Sequence, residues 1–309
     1  MVGLLALATG SYQLSLDQVF AAFTTDQGGI ERDIVLDWRL PRVIATIVFG
    51  TALGVSGAMF QSLTRNPLAS PDVIGFSTGS YTGALITILL IGGSYTVTAI
   101  GALAGGITTA LLVYLFAYRG GVQGFRLIIV GIAVSAMLGS LNTWMMLKAD
   151  LEVAMAAAAW GAGSLNAITW EQVIIATGAV TVLLATAGLL SRSMRQLELG
   201  DDAATSQGVP VTLIRLALVV VGVALTATVT AASGPIAFVA LAAPQIARRL
   251  AHTPGITLAP AATTGALLLG VADFIAQHAG PTPLPVGIIT LIIGGSYLTW
   301  LLYHHATQH

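Results

Sequence analysis

Residues 73–118 read VIGFSTGSYTGALITILLIGGSYTVTAIGALAGGITTALLVYLFAY, with no charged side chain between Asp72 and Arg119. A helix needs about 20 apolar residues to cross the hydrocarbon core of a bilayer. This stretch is too long for one crossing, and Gly92-Gly93-Ser94 supplies a break, so it predicts two spans. The same test, applied outward, predicts one span each at 43–64, 127–147, 172–191 and 250–272. Residues 216–247 divide at Ser233-Gly234-Pro235 into two spans, the second short. After Asp273 the chain breaks at Gly280-Pro281-Thr282-Pro283, and 284–303 makes the ninth. Met1 to Thr9 is apolar but too short to cross, and without Lys or Arg it makes a poor signal peptide. It reads as the outer end of a truncated first helix, or else as a short interfacial segment. The expected fold is therefore an all-α polytopic membrane protein, one transmembrane domain over residues 1–309, with about ten helices.

Composition agrees. Of 309 residues, 56% are hydrophobic and 8% charged, against roughly 25% charged in ordinary soluble domains. Mean hydropathy is +0.88. Twelve basic and 13 acidic residues cannot furnish a water-facing surface, which excludes a soluble enzyme, a nucleic-acid binder and a disordered chain. Long apolar blocks also differ from the short alternating segments of a β-barrel. With no cysteine, disulfides, zinc–thiolate sites and thiol nucleophiles are excluded.

Placing the charges orients the chain. One set of loops carries Arg65, Arg119, Arg126, Arg192, Arg195, Arg215, Arg248 and Arg249; the other carries Arg32, Arg39, Arg42 and Lys148. The richer set belongs in the cytoplasm. The outer set holds most of the acids: Asp17, Asp26, Glu31, Asp33, Asp37, Asp150, Glu152 and Glu171.

The chemistry inside the membrane is sparse. The only lysine, Lys148, follows no glycine loop, so a Gly-x4-Gly-Lys-Ser/Thr phosphate cradle is excluded and the chain is not itself a P-loop ATPase. No catalytic residue is expected. Asp273 is the one candidate carboxylate for carrying a coupling ion; the alternative is a structural role at a helix end. None of the five histidines, His252, His278, His304, His305 and His309, pairs at i, i+4 with another ligand in a span, so no metal site is expected. Gly50-x3-Gly54 and Gly101-x3-Gly105 put small residues on one helical face, which suits close packing. Ser56, Ser62, Thr64, Ser77, Thr78, Ser80 and Thr82 either line a hydrated path or bond backbone carbonyls. Trp144, Met145 and Met146 either line the outer part of such a path or face lipid and core.

The longest cytoplasmic loop, 196–211, reads QLELGDDAATSQGVPV. Asp201 or Asp202 can cap a short helix that Gly208-Val209-Pro210 ends. Such a helix outside the bilayer is either a handle for a soluble partner or a plain connector.

Several segments, in order, resemble the FecCD family of ABC importer permeases, the type II importers of iron-siderophores, haem and cobalamin. They are RLPRVIATIVFGTALGVSGAMFQSLTRNPLASPDVIGF at 39–76, FRLIIVGIAV at 125–134, LGDDAATSQGV at 199–209, GPIAFVALAAPQIARRL at 234–250 and LPVGIITLIIGGSYL at 284–298. The resemblance implies ten helices per subunit, two permease subunits around a central path, two ATP-binding subunits below, and a periplasmic or lipid-anchored binding protein above. It implies the bacterial cytoplasmic (inner) membrane, with ATP and magnesium held by the partner ATPase and no cofactor in this chain. On that pattern Gly200, Asp201, Asp202, Ala203, Gln207 and Gly208 meet the ATPase. Arg39 and Arg42 dock the binding protein through charge-assisted bonds. Gln123 and Gly124 form the inner gate. The chain departs from the family at Pro244-Gln245, where Pro-His is frequent, and at Gln277, where vitamin importers carry an outer arginine. SPDVIGF (70–76), NTW (142–144) and GSLNAITW (163–170) point within the family to a ferric catecholate siderophore, enterobactin-like. Cobalamin or haem cargo, or an ion-coupled carrier acting alone, are the alternatives. A homologous rather than identical second permease is the favoured partner.

Overall fold

The computed structural model describes the whole chain except residues 1, 11, 25–28, 73, 93, 118–123, 254, 281 and 307–309. Every regular element among the described residues is a helix. In order they are α1 (Val2–Ala8), α2 (Leu16–Thr24), α3 (Ile30–Thr64), α4 (Phe76–Leu90), α5 (Tyr95–Ala117), α6 (Gly124–Lys148) and α7 (Leu151–Gly161). There follow α8 (Trp170–Glu198), α9 (Asp201–Ser206), α10 (Val211–Ser233), α11 (Val239–Leu250), α12 (Leu258–His278) and α13 (Val286–Ala306).

Each of the nine expected apolar stretches holds a helix, although in 250–272 it starts only at Leu258, and the breaks fall where glycine and proline were expected to set them. Gly234, for example, takes φ 73° at the end of α10. Among the described residues six helices are long and apolar enough to cross a membrane: α3, α5, α6, α8, α10 and α12. α4, with 15 residues, and α11, with 12, are shorter. Two differences from the sequence reading share one cause. α3 starts at Ile30, not 43, and passes through a π-helical stretch at Ile34–Arg39; α8 runs on past Arg192 and Arg195 to Glu198. Charges limit what the hydrocarbon core can hold, but they do not end a helix that continues into the headgroup region and water. α7 is an addition, an apolar helix of 11 residues between two spans.

α3 is the central rod. It packs most extensively on α12, and α4 packs on α5. Both contacts rest on glycine. A Cβ on Gly50 or Gly54 would drive into the backbone of Gly265 or Ala261 on α12, and one on Gly83 or Gly105 would clash across the α4–α5 contact. The Gly-x3-Gly pairs thus serve close packing. Buried hydroxyls tie the rest together: Ser56 Oγ donates to Gly222 O at 2.7 Å, joining α3 to α10. A separate small apolar cluster, Leu7, Leu14, Val19, Ile34 and Val35 among it, fastens α1 and α2 to the start of α3.

Candidate functional site

The candidate site has two ends, joined by α3. From Arg42 to Arg65 its helical rise is about 35 Å, enough to clear a hydrocarbon core of about 30 Å.

At the inner end α9 stands as the expected short helix outside the spans. Its start differs from expectation: Gly200, at φ 117°, holds the N-cap position, and no side chain caps the helix. Asp201 and Asp202 lie in the first turn, where their charge favours the helix dipole. Asp201 is an anchor. Its Oδ1 accepts from Arg65 Nη2 at 2.9 Å and from Arg215 Nη2 at 2.7 Å. Arg65 also donates to Leu197 O at 2.6 Å. One carboxylate therefore fastens α9 to the ends of α3 and α10. Gln207 accepts from Gln196 at 3.0 Å across the loop, and Gly208, at φ 80°, follows the helix. Asp202, Gln207 and Gly208 are exposed, and Ala203 is half-buried. Leu199, beside them, is 69% exposed, a large apolar side chain at a polar end of the bundle. Arg65, Arg215 and Leu199 were not singled out from sequence. The arginine contacts to Asp201 span long chain separations, so no local spacing announces them.

A cavity of about 210 Å³ adjoins this end, lined by Gln61, Ser62, Arg65, Glu198, Gln245 and Arg248. Gln245, the departure from Pro-His, is buried. It donates to Gln61 Oε1 at 2.5 Å, and Gln61 donates to Leu241 O at 2.9 Å. The position is filled by a structural amide pair. Of the expected inner gate, Gln123 lies outside the described residues, and Gly124 begins α6.

At the outer end both arginines have partners. Arg39 donates through Nη1 to Leu7 O at 2.6 Å and through Nη2 to Tyr12 O, closing the α1–α2 segment over α3. Arg42 grips Asp273: Nε lies 3.0 and 2.9 Å from the two carboxylate oxygens, and Nη2 lies 2.6 Å from Oδ1. The Asp273 side chain is 5% exposed and that of Arg42 13%. Asp273 therefore forms one half of an α3–α12 ion pair, inside α12 rather than at its end. A cavity of about 240 Å³ opens beside the pair, with Arg39, Gln277 and His278 on its wall. Gln277 donates to Asn166 Oδ1 at 3.1 Å.

The polar residues of α3 and α4 have several partners. Thr64 and Thr82 bond carbonyls one turn back, and Ser62 donates to Glu198 at 2.7 Å. Ser77 and Thr78 border an open cleft.

A bundle of apolar helices with its charge gathered at two ends, and an Arg42–Asp273 ion pair at the outer one, has the architecture of a multi-pass membrane protein. The chain belongs to the FecCD transport family, whose model matches residues 1–304. It is 50% identical over 309 residues, all of this chain and 94% of the relative, to the ferric enterobactin transport system permease protein FepG of Escherichia coli. It is 37% identical to the Fe(3+) dicitrate transport system permease protein FecD of Escherichia coli, covering 91% of this chain and 89% of that one. A solved metal-chelate type ABC transporter in an inward-facing conformation superposes with a TM-score of 0.85 at 26% identity, covering 98% of this chain and 95% of that one.

Proposed function

We propose that the chain is one permease subunit of an ATP-driven importer in the bacterial cytoplasmic membrane, moving a ferric catecholate siderophore of the enterobactin type. The observation that carries this reading is the 50% identity, end to end, to the ferric enterobactin permease. A homologous second permease completes the path, two ATP-binding subunits hold the ATP and magnesium, and a periplasmic or lipid-anchored binding protein delivers the chelate. This chain supplies no catalytic group and no cofactor.

Two features support the coupling. α9 and the turn after it offer Asp202, Gln207 and Gly208 to the ATPase, with Gly200 as a hinge and Ala203 behind them. Asp201 ties that helix to two spanning helices, so a push on α9 reaches the bundle. At the outer end the binding protein's acidic side chains meet Arg39 and Arg42. Asp273 takes Nε and Nη2 of Arg42 and leaves Nη1 for a partner carboxylate. Closure of the ATPases moves α9 and rocks the helices, opening one end of the path as the other shuts. Gln123 and Gly124 guard the inner mouth.

The test is uptake of ferric enterobactin by a reconstituted complex. We expect ATP-dependent accumulation that an uncoupler does not abolish. Loss of uptake in Asp201→Arg/Asp202→Arg, with the subunits still co-purifying, would support the coupling role. Normal uptake by that variant overturns it, and uptake of cobalamin or haem in place of the ferric chelate overturns the cargo.

A further inference from the structure

The cavity of about 210 Å³ at the inner end is a polar hollow at the foot of α3, α8 and α11. Three of its lining side chains, Gln61, Ser62 and Gln245, are buried as well as polar. Two arginines, Arg65 and Arg248, share the wall with one carboxylate, Glu198. Apolar surface comes from Pro67 and Ile256, too little to hold an acyl chain. A hollow built this way asks for a polar occupant.

The wall offers both donors and acceptors. Arg248 makes no hydrogen bond or ion pair with another described residue. Arg65 spends Nη2 on Leu197 O and Asp201 and keeps Nε and Nη1. Among the acceptors, Glu198 takes the Ser62 proton on Oε1 at 2.7 Å and keeps Oε2. Gln245 gives Nε2 to Gln61 and keeps Oε1. A fully ionised oxyanion such as sulfate satisfies the arginines but brings no proton to Glu198 and Gln245. An oxyanion that keeps one proton at neutral pH satisfies both sets.

We propose that this cavity binds a free oxyanion of the hydrogen phosphate type from the cytoplasm. Its charged oxygens lie on Arg65 and Arg248, and its hydroxyl donates to Glu198. Arg65 also belongs to the clamp on Asp201, so an ion that draws on Arg65 loosens α9. That consequence, unlike the site itself, rests on the importer reading above, in which the ATP-binding subunits release phosphate on this side of the membrane.

The test titrates inorganic phosphate into the purified full-length chain by calorimetry, with chloride holding ionic strength constant. Saturable binding is expected, and sulfate should bind about tenfold more weakly. Arg248→Gln changes an exposed side chain that has no protein partner, and should weaken phosphate about tenfold or more, the loss of a charge-assisted bond. Arg249→Gln is the control: its guanidinium lies 4.7 Å from the centre of the Trp300 ring, off the cavity wall, and phosphate affinity should not change. Glu198→Gln removes the repelling carboxylate, so sulfate should bind it about tenfold more tightly than it binds wild type. Absence of saturable phosphate binding overturns the site. So does an equal loss in Arg248→Gln and Arg249→Gln, which is diffuse attraction to a basic end. Equal affinity of wild type for phosphate and sulfate overturns the choice of a protonated ion. In the complete complex, phosphate should slow chelate uptake by wild type more than by Arg248→Gln. Equal slowing of the two overturns the effect on α9, and a wild-type complex that moves no chelate overturns the importer reading instead.

Discussion

Arg42 shows how one side chain can tie two spanning helices together. Its contact with Asp273 joins helices far apart in the chain, in surroundings where neither charge can be left alone. Removing one partner of a buried pair costs about 3–5 kcal/mol, while replacing both with apolar groups is often neutral. Arg42→Ala should therefore lower the yield and thermal stability of the detergent-solubilised protein, and Arg42→Leu/Asp273→Leu should recover both. Equal melting temperatures for wild type and Arg42→Ala, followed by fluorescence-detected gel filtration, would show that the pair does not hold α3 to α12. Sequence alone named Arg42 and Asp273 as separate candidates. It could not join them, because an ion pair between distant helices leaves no trace in local spacing. The same blindness hid Arg65 and Arg215 behind Asp201.

At the level of the element, glycine sets how near two helices come. Gly50 and Gly54 admit α12, and Gly83 with Gly105 lets α4 and α5 meet backbone to backbone. Gly54→Leu should block assembly of the bundle, read as loss of membrane-inserted, protease-resistant protein. Gly178 on α8 is the matched control, since a Cβ there meets no atom within 4 Å. Gly178→Ala should be tolerated and gain about 0.5–1 kcal/mol from helix propensity. Folded, wild-type-like Gly54→Leu would refute the close-packing role. The small-x3-small spacing made these contacts legible in advance. α7 was not legible, because an 11-residue apolar helix is too short to cross a bilayer and leaves no mark on a count of spans. The start of α3 was misplaced for a related reason: charges mark the edge of the hydrocarbon core, and the helix does not stop there.

For the whole molecule, the lengths of the apolar stretches and the placing of 25 charges were enough to give the all-helical, multi-pass architecture. The absence of cysteine makes the orientation directly testable. Single cysteines at Asp202, exposed, and Gln277, half-buried on the wall of the outer cavity, sit at opposite ends of the bundle. In intact spheroplasts an impermeant thiol reagent should label Gln277→Cys and spare Asp202→Cys, with the order reversed in inside-out vesicles. Labelling of both from one side would contradict the orientation drawn from Lys and Arg.

The anchoring of α9 at Arg65 has a mechanical consequence. Asp201 grips the last turn of α3, and the far end of that same helix carries Arg39 and Arg42. α3 is then a lever arm of about 35 Å, pivoting where glycines let α12 lie flush against it. A tilt of about 10° at that fulcrum would swing the tips, about 15–20 Å away on either side, by about 3 Å. That is the width of one hydrogen bond, enough to make or release a contact at the outer face in step with a push delivered at the inner one.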